Sequence, residues 1–164
     1  EGGVEVADKV RAIVEAGVPV MGHIGLKPQT SSLWEGYRLQ GKTVKATSRL
    51  FDDAKALESA GAFSIVLEMV ASEAAERITK RISVPTIGIG SGAGCDGQVL
   101  VLHDLLGIYE DIKPRFVRRY AELAKPIFDA VSSYTQDVKA GKFPSDQNIF
   151  HMDAAEAAKL GRKR

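Results

Sequence analysis

At 164 residues the chain is long enough for one domain and too short for two of ordinary size. Its 45% hydrophobic and 26% charged residues are the balance of a folded globular protein, which excludes a disordered chain. A formal net charge of +1 leaves no electrostatic footprint for nucleic acid or an anionic membrane. No apolar run approaches the ~18 residues of a membrane span. The single cysteine, Cys95, allows no intrachain disulfide, which fits a reducing, cytoplasmic setting. The basic cluster Lys159, Arg162, Lys163 and Arg164 reads as a solvated chain end.

In chain order, Val6, Val10, Ile13 and Val14 recur at helical spacing and predict a helix over Val4 to Glu15, stopped by Gly17. Val18-Pro19-Val20-Met21 reads as a short buried strand running into Gly22-His23-Ile24-Gly25. Leu26 to Thr43 is a long polar loop. Its aromatics, Trp34 and Tyr37, suggest an ordered lid or contact surface with at least one ring buried. Leu50, Ala54 and Leu57 form the stripe of a second helix over Ala46 to Ala60.

Phe63 to Leu67 is a buried strand ending at Glu68-Met69-Val70. Ser72, read as an N-cap, and Glu73 open a helix to about Arg81. Val84 to Ile89 is a third strand, entering the glycine run Gly88 to Gly94. Val99 to Leu102 reads as a fourth, ending at His103-Asp104. A long helix is expected from about Arg115 to Lys139, followed by an alanine-rich stretch that suits a short helix.

Alternating helices and near-continuous apolar strands mean a parallel sheet, with both strand faces expected to be buried. Four such strands cannot close a barrel. Glu1-Gly2-Gly3 looks like the end of an earlier strand, so the chain reads as strands five to eight of a (β/α)8 TIM barrel. Residues 1–152 are assigned to that half-barrel and 153–164 to a C-terminal tail.

In such folds the working side chains stand where strands end. That criterion selects Glu1, His23, Glu68, the Ser91 to Gly94 loop and His103-Asp104. Glu68 carries most weight, because a carboxylate that follows Ile65-Val66-Leu67 is partly desolvated and its pKa rises toward the range of a general base. The glycine run lacks the lysine of a nucleotide P-loop and the helix of a dinucleotide fingerprint. His103-Asp104 reads equally as a proton pair or a turn cap, and His151 as a surface residue.

Taken together, Glu1-Gly2-Gly3, the run from Val18 through Gly22-His23-Ile24-Gly25-Leu26-Lys27-Pro28-Gln29, Gly36 to Gly41, Leu67-Glu68, Pro85 to Gly92 and Asp96 to Asp104 resemble the ketopantoate hydroxymethyltransferase family, in its order and spacing. The resemblance implies a (β/α)8 barrel in a homo-oligomer. It implies hydroxymethyl transfer from 5,10-methylenetetrahydrofolate to 3-methyl-2-oxobutanoate, giving 2-dehydropantoate for pantothenate synthesis, with Mg2+ chelating the oxo acid. Glu1 matches a metal-site acid, Glu68 the family's base and His23 its active-site histidine.

The implied setting is cytoplasmic, or mitochondrial in a eukaryote, with small-molecule partners and neither nucleic acid nor membrane. Lys27 departs from the smaller polar residue of many members. The family's first two metal aspartates, a substrate serine and a substrate lysine precede its Glu-Gly-Gly, so the site needs the upstream half of the barrel. Two other readings compete: a Mg-dependent lyase or mutase barrel acting on 2-oxo acids, and a non-catalytic fragment.

Overall fold

The computed structural model describes residues 1–29 and 38–160. The expectation for Trp34 and Tyr37 therefore lies outside the described residues. Within them the chain forms strands β1 (Met21–Gly25), β2 (Ser64–Glu68), β3 (Thr86–Ile89) and β4 (Gly97–Gln98). The helices are α1 (Ala7–Glu15), α2 (Val44–Ser59), α3 (Ser72–Thr79), α4 (Leu102–Leu105), α5 (Ala124–Lys139) and α6 (Ala154–Leu160). The strands make one sheet in the order β1-β2-β3-β4, every neighbouring pair parallel. Helices α2 and α3 are the crossovers that parallel pairing demands. The fold is α/β with a parallel sheet, as the alternation of elements implied.

Helix α2 starts where Thr43 caps it, the hydroxyl accepting the Ala46 amide at 3.1 Å. Its Leu50, Ala54 and Leu57 meet Ala74, Ala75 and Ile78 of α3 over Ile24, Ile65 and Leu67 of the sheet, and this is the core. On that face Gly22, Ile24, Ile65, Leu67, Thr86 and Gly88 are buried. On the other face His23, Val66, Glu68, Ile87 and Ile89 are only half-buried.

Both faces were expected to be buried. Helices cover one face alone, so the apolar residues of the opposite face reflect a surface that nothing among the described residues covers.

Several element boundaries differ from the sequence reading. β1 begins at Met21, because Pro19 has no amide for the ladder, and Val18 stays exposed. Ser72 is the first helical residue of α3 and caps nothing; Ala71 holds the N-cap position. The fourth strand is Gly97–Gln98. β3 turns away at Gly90, whose φ is +65°, so Val99 keeps one bond to the Gly88 carbonyl (3.0 Å) and the apolar run bends into α4.

The helix expected from Arg115 begins only at Ala124. Pro126 in its first turn lacks an amide and would clash with the carbonyl of Glu122, so the helix cannot extend upstream. The Tyr120, Leu123 and Ala124 amides bond instead to the carbonyls of Leu105, Leu106 and Gly107.

The α2 stripe anchors this arrangement. In the full-length protein Leu57→Ala, at a side chain 1% exposed, is expected to lower unfolding free energy by about 2–5 kcal/mol in urea titrations.

Candidate active site

The β1–β2 register pairs Gly25 with Glu68 and His23 with Val66, which puts the side chains of His23 and Glu68 on the same half-open face. Nε2 of His23 lies 3.1 Å from Oε2 of Glu68. The two atoms are close but not aligned as a hydrogen bond, and that buried nitrogen has no hydrogen-bond partner among the described residues. Glu1 joins them from the other side. Gly2 bridges to His23, its amide donating to the His23 carbonyl at 3.1 Å. The exposed Glu1 carboxylate accepts the Gln29 amide at 3.2 Å.

Burial raises the pKa of Glu68 above the ordinary carboxylate value. The neighbouring His23 pulls it partly back, and the negative charge of Glu1 raises it again. Glu1, His23 and Glu68, separated by 22 and 45 positions in sequence, therefore form one electrostatic group at the carboxyl end of the sheet.

The remaining candidates do not join it. His103 and Asp104 stand in α4, beyond the edge strand, and His151 is exposed. The glycine run is a packing device: a side chain at Gly92 would strike Ser72 and one at Gly94 would strike Glu76, so β3 can turn closely over α3 only with glycine there. Sequence reasoning selected Ser91 only as part of the Ser91 to Gly94 loop and gave it no role of its own; it is fully buried and bonds to the backbone on both sides of Glu68–Met69. A serine flanked by glycines at a strand end was the available signal.

Among the described residues no group of three or more His, Cys, Asp or Glu side chains is arranged to hold a metal ion. A Mg2+ ion is commonly held by one or two carboxylates, with water and substrate oxygens completing the shell. Glu1, an exposed carboxylate held through one oxygen, fits one such ligand.

The ketopantoate hydroxymethyltransferase family model matches residues 1–146. This chain belongs to that family. It is 59% identical over 162 residues to a 3-methyl-2-oxobutanoate hydroxymethyltransferase of Cenarchaeum symbiosum, a match covering 99% of this chain and 62% of that protein. A protein of the same name from Nitrosopumilus maritimus is 52% identical over 98% of this chain and 57% of its own length. One from Kosmotoga olearia is 55% identical over 92% and 56%. The chain thus spans about three-fifths of the length of these curated relatives.

The charge arrangement has a direct test. In carbon-13 NMR titrations of the full-length protein, the Glu68 carboxyl is expected to titrate above the ordinary 4.5, because its ionised form is desolvated. His23→Gln removes the favourable neighbour and should move it higher still. A Glu68 titration at or below 4.5 would contradict this picture.

Proposed function

We propose that this chain supplies strands five to eight of a (β/α)8 barrel that transfers a hydroxymethyl group from 5,10-methylenetetrahydrofolate to 3-methyl-2-oxobutanoate, giving 2-dehydropantoate. The carrying observation is that Glu1, His23 and Glu68 converge at the carboxyl ends of parallel strands in a chain of this family. That rim is where barrel enzymes place their chemistry. The remainder of the barrel would cover the half-open face of the sheet and bring the other ligands. The complete protein is read as a homo-oligomer acting on small molecules.

Carbon 3 of the oxo acid must lose a proton before it can attack the folate's methylene carbon. Glu68 is the acceptor. Its raised pKa makes it a stronger base than an ordinary carboxylate, and His23 keeps enough of it ionised to act. The C–H electrons pass into the enolate, and carbon 3 bonds to the methylene carbon as one of that carbon's two C–N bonds breaks. Water then displaces the second nitrogen and supplies the hydroxyl oxygen, and the proton taken by Glu68 and one from water leave on the two nitrogens of tetrahydrofolate. Glu1 would be one ligand of Mg2+, which when bound supplies positive charge beside the substrate's carboxylate and 2-oxo oxygens. His23 is placed to hold the carboxylate of Glu68 through Nε2, 3.1 Å from Oε2.

Glu68→Gln in the full-length protein keeps the shape and removes the proton acceptor. Exchange of the carbon-3 proton of 3-methyl-2-oxobutanoate into deuterated water requires no folate, so it isolates this step. The rate is expected to fall about 100- to 10,000-fold while oxo acid and Mg2+ still bind. Exchange near the parental rate would remove Glu68 from the role, and loss of Mg2+ binding would place Glu68 among the metal ligands.

A further inference from the structure

The turn that carries Glu68 out of β2 is held by a frame of backbone hydrogen bonds. The Glu68 carbonyl accepts the Leu26 amide at 2.8 Å, and the Met69 amide donates to the Ile89 carbonyl at 2.8 Å. Gln40, at the end of the long loop, donates its amide to the Met69 carbonyl (2.7 Å) and accepts the Ala71 amide (2.9 Å). Within this frame Met69 adopts φ +48°, the one non-glycine residue among those described with a positive φ. A side chain rarely takes that conformation unless its surroundings impose it.

One side chain closes the frame. Ser91, 0% exposed, donates its hydroxyl to the Leu67 carbonyl at 2.7 Å and accepts the Val70 amide at 3.0 Å. The bridge spans Glu68 and Met69, tying the residue before them to the residue after. Gly90 and Gly92 flank Ser91 at φ +65° and +80°, so the backbone is bent on both sides to bring this hydroxyl over the turn. A hydroxyl has one donor and two acceptor positions, and this one uses both kinds on a single turn.

We propose that Ser91 is the positioning residue for Glu68: its buried hydroxyl fixes the Leu67–Val70 turn so that the carboxylate stays aimed at the reacting carbon. The proposal rests on the reading of Glu68 as proton acceptor. Ser91 is fully buried, and its hydroxyl bonds backbone groups rather than the Glu68 carboxylate. Without the hydroxyl, the Leu67 carbonyl and Val70 amide lose their shared partner and the strained turn is free to relax. Misplacement of a reacting group by about 1 Å can cost on the order of 100-fold in rate.

The test is a double-mutant cycle in the full-length protein, read by carbon-3 proton exchange of 3-methyl-2-oxobutanoate and by thermal melting. Ser91→Ala should melt cooperatively and lower the exchange kcat about 10- to 100-fold, with KM for the oxo acid within about threefold of the parent. In the Glu68→Gln background the same change should cost nothing further, because the group it positions is gone. Should the alanine variant not fold, Ser91→Cys keeps a side chain at the site with a thiol that hydrogen-bonds weakly, and the same split is expected.

A slow Glu68→Gln with Ser91→Ala at the parental rate would overturn the positioning role alone. So would losses that multiply in the double variant, or a loss carried by KM. Glu68→Gln at the parental rate would overturn the reading of Glu68, and the role of Ser91 with it.

Discussion

The pairing of β1 with β2 is the constraint on which the site depends. The register from Met21↔Ser64 to Gly25↔Glu68 is fixed by the buried face, where Ile24, Ile65 and Leu67 lock against α2 and α3. A slip of one residue would turn those side chains to the open face and bury His23 and Glu68 in their place. Hydrophobic packing on one side therefore sets the distance between two polar side chains on the other. Burial of Glu68 on that other face raises its pKa, and the register places His23 where it offsets part of the rise. Glu1 reaches the group through the bridge from Gly2 to His23, so its position too is inherited from β1.

Glycine and strain appear where strands hand over to helices. Gly25 has φ +98°, and a side chain there would collide with the Glu68 carbonyl, so the close approach of the two strand ends requires that residue. Met69 adopts a similar backbone conformation without glycine's freedom, held by Gln40, Ile89 and Ser91. Strain of this kind persists only where neighbouring bonds over-determine it. Farther along, α5 buries none of its residues against the rest of the chain, and Ile127, Phe128, Val131, Tyr134 and Val138 face outward. Nothing among the described residues covers that face.

Much of this was legible in the sequence because parallel α/β units write their elements plainly. The stripe Leu50, Ala54, Leu57 gave α2, and the buried run before Glu68 gave both β2 and the expectation of a perturbed carboxylate. The selection of strand ends brought out His23 and Glu1 for the same reason. Misread elements had competing local causes. Pro126 sets where α5 can start, and the edge position of β4 lets Val99 to Leu102 leave the ladder despite strand-like composition. The uncovered face could not be read, because an apolar strand does not state which layer buries it. The loop of Ser91 was selected, but what its hydroxyl does could not be read, since the groups it ties, the Leu67 carbonyl and the Val70 amide, belong to the end of a different strand.

The central claim is that Glu68 meets carbon 3 of the oxo acid while Glu1 meets the metal. A crystal structure of the full-length protein with Mg2+ and 3-methyl-2-oxobutanoate tests it most directly. A Glu68 oxygen should lie about 3–3.5 Å from carbon 3, the separation of groups poised to react, and a Glu1 oxygen should coordinate the ion at about 2.0–2.1 Å. Glu68 coordinating the metal, or turned away from the substrate with Glu1 free of the ion, would contradict the account.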